Sequence, residues 1–312
     1  RNRSPTPYVS FPPPPSDRRE RDRGVNTLRN RVKLGIAPIA WTNDDLCDIG
    51  RETSFDRCIR EMALAGFVGT EIGCKYPRDP YVLKEALARE GLQICNGWFS
   101  TFFTVRPSAH TRDAFVRHRD FLAVLGAKVI GVSEQGNSIQ GKIDRPVFRD
   151  KPTFTQSEWK QVAEGMESLA ELAGEKGMTI GYHHHMGTGI ETMEEIDRLL
   201  ERSSERVCLL YDSGHAVVAG IDPVVLLERY IGRINHVHLK DVRGDVLASV
   251  RQKDLSFLQA VLEGVFTVPG DGGIDFRPIF ELLDRGGYSG WLVVEAEQDP
   301  AKADPFEYAK KA

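Results

Sequence analysis

Residues 207–215 read Val-Cys-Leu-Leu-Tyr-Asp-Ser-Gly-His, and residues 234–241 read Ile-Asn-His-Val-His-Leu-Lys-Asp. Both are apolar, β-favouring runs that end in groups able to bind a metal or move a proton. Asp212 and His215 close the first run; His236, His238, Lys240 and Asp241 close the second. An amphipathic helical stretch lies between them. Chemistry at the carboxyl ends of successive strands is what an α/β barrel places around its active-site mouth.

The alternation extends in both directions. Strands are expected over 32–41, 69–73, 92–98, 128–133, 178–182 and 290–297, in addition to the two opening runs. Helical spacing of apolar residues marks 54–65, 80–90, 111–125, 157–176, 192–202 and 275–285, with a last helix starting at 305. Gly66, Gly91, Gly126 and Gly177 stop four of these helices, and Thr192 with Glu195 forms a capping box. Two connections are long, 135–152 and 242–273, the second with a helix near 255–262. A polar connection of that length suggests an active-site loop. Eight strand–helix repeats give a (β/α)8 TIM barrel. An open doubly wound sheet is the alternative, but no GxGxxG follows the first strand.

Composition bounds the function. A hydrophobic fraction of 41% and a charged fraction of 28% are those of a soluble globular chain. No apolar run approaches a membrane span, and no signal-peptide core opens the chain. Five scattered cysteines without a CxxC pair suggest reduced thiols in a cytoplasmic enzyme. Residues 1–30, Pro-rich and basic, have little to bury and are expected to be a disordered tail ahead of a single catalytic domain, 31–312. Residues 1–33 hold nine Lys/Arg against three Asp/Glu, so with a net charge of −4 the remainder sits near −10. An acidic body is a poor platform for a phosphate backbone, so neither nucleic acid nor a membrane is an expected partner. Homo-oligomerisation is left open.

Six of the eight histidines fall between 183 and 238. Strand alternation puts His183 and His185 on one face with His184 opposite, groups His236, His238 and Lys240, and pairs Glu295 with Glu297. Each residue alone has a plain structural reading. A buried histidine commonly serves core hydrogen bonding, Glu71 or Glu134 can form a loop salt bridge, and Asp212 can cap the following helix. Trp41 suits packing. Independent structural causes would not, however, align so many groups on the ends of four strands.

At 212–222 (Asp-Ser-Gly-His-Ala-Val-Val-Ala-Gly-Ile-Asp) and 236–241 (His-Val-His-Leu-Lys-Asp) the chain resembles the sugar isomerase/epimerase superfamily of metal-dependent TIM barrels. That group includes xylose isomerases and endonuclease IV. The resemblance covers most of 33–311. Within it, His-His-His-Met-Gly-Thr-Gly-Ile-Glu-Thr at 183–192 and Glu-Ala-Glu-Gln-Asp-Pro at 295–300 resemble the inosose dehydratases of myo-inositol catabolism.

The resemblance implies one divalent ion held by Asp212, His238 and Glu295. The superfamily's remaining ligand is a Glu at the end of the fifth strand, where this chain has His183. His183 is expected to take the place, with Glu134 as the alternative. Mn²⁺ or Co²⁺ is the implied metal, and a mixed His/carboxylate set suits such ions better than Ca²⁺. The implied substrate is a small cyclic polyol ketone, dehydrated through an enolate. Glu295 or His185 is expected as base, His215 as acid, and Lys240 as the stabiliser of negative oxygen. Trp41, Trp98, Glu71, Glu134 and His236 are expected to bind substrate. The rival readings are a ketose 3-epimerase with the same metal site, a DNA-repair endonuclease, which the acidic body opposes, and a non-catalytic polyol-binding protein.

Overall fold

A computed structural model describes residues 28–312. The expected tail falls almost wholly on 1–27, outside the described residues; Leu28, at the edge, is buried in the main core. The chain forms β1 (Val32–Ile36), β2 (Gly69–Thr70), β3 (Gln93–Ile94), β4 (Trp98–Thr101), β5 (Val129–Glu134), β6 (Thr179–His183), β7 (Val207–Asp212), β8 (Ile234–Leu239), β9 (Asp241–Val242), β10 (Phe266–Thr267) and β11 (Gly290–Val294). Nine of these pair in the order β3-β2-β1-β11-β8-β7-β6-β5-β4. All neighbours in that sheet are parallel. Its two ends, β3 and β4, are successive pieces of one stretch, so the sheet closes on itself as an eight-stranded barrel. Helices follow the strands, several of them capped by a preceding side chain: Ser54, Asp79, Thr155, and Thr192 with its predicted partner Glu195.

The third barrel strand was expected to be continuous over 92–98. Instead it breaks at Cys95-Asn96-Gly97, pairing with β2 before the break and with β5 after it. The Asn96 side chain fills the gap: its Oδ1 accepts from Gly131 N at 2.6 Å, and its Nδ2 donates to Glu71 Oε1 at 3.0 Å. This satisfies a buried backbone donor at the break in the ladder. Gly131 is needed for the approach, since a Cβ there would lie 2.9 Å from Asn96 Nδ2.

The first strand also ends earlier than the expected residue 41. Pro38–Ala40 forms a 3-10 turn after the strand ends at Ile36.

The two long connections meet above the strand ends. Val147 N bonds to Leu255 O, Pro146 bridges to Ser256, and Ile139 N bonds to Gly187 O. The second connection holds helices Gly244–Gln252 and Phe257–Glu263 and the antiparallel pair β9–β10. With Val147, Met186 and Val218, it builds a small second core around Phe257 and Phe266. The mouth of the barrel is therefore roofed by packed structure. Among the described residues, no helix is long and apolar enough to cross a membrane.

Asn96→Ala should leave Gly131 N without its partner and free Glu71, lowering stability by about 1–3 kcal/mol. Urea unfolding monitored by circular dichroism measures the loss; unchanged stability would show that the broken strand needs no side-chain bridge.

Candidate metal centre and active site

Four strands deliver one donor each to a common point. His183 ends β6, Asp212 ends β7, His238 lies near the end of β8, and Glu295 directly follows β11. His183, Asp212, His238 and Glu295 bring a ligand atom each to within 4.8 Å of one another. His238 Nδ1 stands 2.8 Å from Glu295 Oε2 and 3.4 Å from Asp212 Oδ2, and His183 Nε2 stands 3.5 Å from Asp212 Oδ2. Asp212 Oδ2, His238 Nδ1 and Glu295 Oε2 are all buried without an aligned hydrogen-bond partner. Converging orphaned lone pairs, spaced as ligands of one ion at about 2.1 Å would be, fit a divalent cation.

The electrostatics agree. Burial favours the neutral acid of Glu295, yet His238 and Lys240 outweigh it and hold the carboxyl at about 2. Asp212 is likewise kept well below the usual carboxylate range, against its burial, chiefly by Lys240. Burial opposes charge on His238, but Glu295 and Glu71 draw it well above the ordinary imidazole range. The point these donors face is one that calls for positive charge.

Glu71 orients the site from behind. Its Oε1 accepts from His236 Nε2 at 2.8 Å, His238 Nε2 at 2.9 Å and Asn96 Nδ2 at 3.0 Å. A carboxylate accepting from His238 Nε2 fixes that nitrogen as N–H and turns Nδ1 toward the donor cluster. His236 was expected to meet substrate; it is fully buried and steadies Glu71.

A cavity of about 470 Å³ opens on this cluster, walled by Glu71, Asn96, Trp98, His183, His185, His238, Glu295 and Glu297. Trp98 stands edge-on to His183 and His185, with ring centroids 5.4 and 5.8 Å away. Three further expectations are corrected. Trp41 is fully buried and donates Nε1–H to Glu61 Oε2 at 2.7 Å, because the 3-10 turn carries it into the core. Glu134 is also off the cavity. Its two oxygens accept from Thr101 Oγ1, Phe103 N, Thr104 N, Thr104 Oγ1 and Gly136 N, leaving it no freedom to ligate.

His215 is the third correction. It sits behind His185, ring centroids 4.0 Å apart, against Phe257 and Phe266, and does not line the cavity. Its Nε2 lies 3.1 Å from Lys240 Nζ. An ammonium has no lone pair, so His215 Nε2 accepts and the ring is neutral with its proton on Nδ1. Burial, with His185 and Lys240 nearby, holds it well below the ordinary imidazole range.

Sequence reasoning passed over two residues. Asn96 carried no signal, since its role exists only at the broken strand. Glu297 had one: it shares the face of Glu295 and lines the same cavity, with Oε1 2.7 Å from Lys240 Nζ. Burial raises its carboxyl to about 7, although Lys240 pulls the other way.

The model of xylose isomerase-like TIM barrels matches residues 59–312. An inosose dehydratase of Geobacillus thermodenitrificans is 61% identical over 284 residues, covering 91% of this chain and 95% of the relative. The chain belongs to the inosose dehydratase family of xylose isomerase-like TIM barrels. An inosose dehydratase of Clostridium tetani, 58% identical over 91% of this chain and 96% of its own length, is a further relative. Among solved structures, the IOLI protein with a binding zinc atom superposes with a TM-score of 0.66 at 17% identity, covering 90% of this chain and 96% of that one. This last likeness concerns the fold alone.

The fifth-strand position is decided by a paired substitution. His183→Ala should lower bound metal sharply, whereas Glu134→Gln should keep the metal and lose roughly 2–4 kcal/mol of stability, because an amide cannot accept all five bonds. Metal analysis and denaturant melts of both variants check this. Metal loss in Glu134→Gln alone would reverse the assignment.

Proposed function

We propose that the chain dehydrates 2-keto-myo-inositol (scyllo-inosose) to a trihydroxycyclohexane-1,2-dione and water in myo-inositol catabolism. The observation that carries this reading is the one-ion donor set on the floor of a polyol-sized cavity, in a chain 61% identical to an inosose dehydratase. Its donors are His183, Asp212, His238 and Glu295, and Mn²⁺ or Co²⁺ is the expected occupant. Bound there, the ion supplies the Lewis acidity that makes the C–H beside a ketone removable.

The side chains perform the proton transfers. His185 Nδ1 lies 2.9 Å from Met186 O, a pure acceptor, so Nδ1 carries the proton and Nε2 is left as a lone pair. Burial keeps this ring neutral, which suits a base. His185 takes the proton from the carbon beside the ketone. The C–O bond at the β-carbon then breaks, and Glu297, on the same cavity, delivers a proton to the departing hydroxide as water. The remaining enol tautomerises to the dione, and both side chains regain their starting protonation. Glu297 replaces His215 as the acid because it reaches the cavity and His215 does not. Trp98 walls the ring, and Glu71 presents its second oxygen to a hydroxyl.

Residues 31–312 serve as one catalytic domain. The five free cysteines, Cys47 and Cys74 exposed among them, suit a reducing cytoplasm.

Turnover of inosose in D₂O tests these roles. Glu297→Gln should retain metal and still exchange the proton beside the ketone, while water loss falls roughly 10²–10⁴-fold. His185→Gln should lose exchange and elimination together. Epimerisation of ketohexoses without dehydration of inosose by the parent enzyme would overturn the assignment.

A further inference from the structure

Beside the four-donor site lies a second set of ligand-type atoms. Buried His185, His215 and Glu297 each bring a donor to within 4.8 Å of the others. Lys240 lies between the two sets, its ammonium touching Glu295 of the first and Glu297 and His215 of the second. Two adjacent buried donor sets are the arrangement of a two-metal centre, whose ions stand about 3.5–4 Å apart. In this chain the second position is filled by a side chain. Lys240 Nζ donates to Glu297 Oε1 at 2.7 Å and to His215 Nε2 at 3.1 Å, and pairs with Glu295 Oε2 at 3.0 Å. The Phe266 ring faces it at 4.6 Å, and Lys240 is fully buried. Two carboxylate oxygens, an imidazole nitrogen and an aromatic face thus surround the ammonium as they would a small cation. Its route is built as well: a Cβ on Gly214 would come within 2.5 Å of Lys240 Cγ.

We propose that the Lys240 ammonium is a resident cation occupying the second-metal position, so that the enzyme binds one divalent ion per chain and excludes another. The ammonium neutralises Glu297 and the neighbouring Glu295, as a second ion would. Unlike a metal, it offers no open coordination position, so substrate oxygens meet a single Lewis acid. Because Glu297 is a hydrogen-bond acceptor here and not a ligand, it stays available for proton transfer. His215 is a positioning residue that fixes the ammonium from the side away from the cavity.

The proposal rests on the four-donor site but not on the identity of the substrate. Full-length enzyme is equilibrated with excess Mn²⁺, desalted, and examined by elemental analysis and electron paramagnetic resonance. The parent should hold one equivalent with the spectrum of an isolated ion. Lys240→Ala should hold two, with the spectrum of a coupled pair. One equivalent in both proteins overturns the lysine assignment alone, as do two in the parent. No ion in the parent overturns the four-donor site and this proposal with it.

Should Lys240→Ala fail to fold, Lys240→Gln keeps the bulk and removes the charge. It should bind a single Mn²⁺ on the order of tenfold more tightly than the parent, because a positive neighbour of Glu295 is gone. Equal or weaker binding overturns the proposal.

Discussion

Asp212, Glu295 and Glu297 share the buried ammonium of Lys240, at 3.8, 3.0 and 2.7 Å. Taking such charges out of water costs several kcal/mol per ion, and only close opposite charge with aligned hydrogen bonds offsets it. Much of the surrounding architecture serves that offset. Gly214 leaves room for the lysine stem. Ser213 Oγ bonds to Lys240 O at 2.7 Å and accepts from Lys240 N at 3.0 Å, fixing the backbone at the end of β8. Phe257 and Phe266, held by the second core, cover the cluster and keep water from competing. Removing one partner would strand the others, at about 3–5 kcal/mol. The roof is therefore part of the electrostatics and not merely a lid.

A second network ties barrel closure to ligand orientation. Where the third barrel strand breaks, Asn96 bridges to β5 on one side and to Glu71 on the other. Glu71 in turn holds His236 and His238 on the far side of the barrel mouth. Closing the sheet and aiming His238 Nδ1 are thus consequences of the same few hydrogen bonds. Stiffness of this kind matters because a ligand or base displaced by an ångström loses much of its effect.

Much of this was legible in the sequence. Apolar runs ending in polar clusters marked β6, β7, β8 and β11, and period-two alternation paired His183 with His185 and Glu295 with Glu297. What alternation cannot give is depth along the barrel axis or the course of a turn. His215 has the right spacing from Asp212, but it lies on the helix that follows β7, behind His185. Trp41 was expected to end the first strand, and Glu134 does end β5, yet a 3-10 turn and a nest of five donors hold them off the cavity. The broken third strand depends on partners at residues 71 and 131, whose proximity is created only by folding.

The departure at His183 and the presence of Lys240 explain one another through charge. A divalent ion in the proposed donor set would be balanced by its two carboxylates, Asp212 and Glu295. Lys240 then balances Glu297. A third carboxylate at 183 would add a further buried negative charge, and an imidazole does not. Protonating Glu297 removes one of four clustered negative charges, the others being Asp212, Glu295 and Glu71. That lost charge offsets the negative charge that develops on a substrate about to become an enolate. An imidazole at 183 beside a buried ammonium is in this sense a preorganised arrangement for anionic chemistry. It favours loss of a hydroxide, where a proton donor must also be close by, over simple return of the proton to the opposite face of the same carbon.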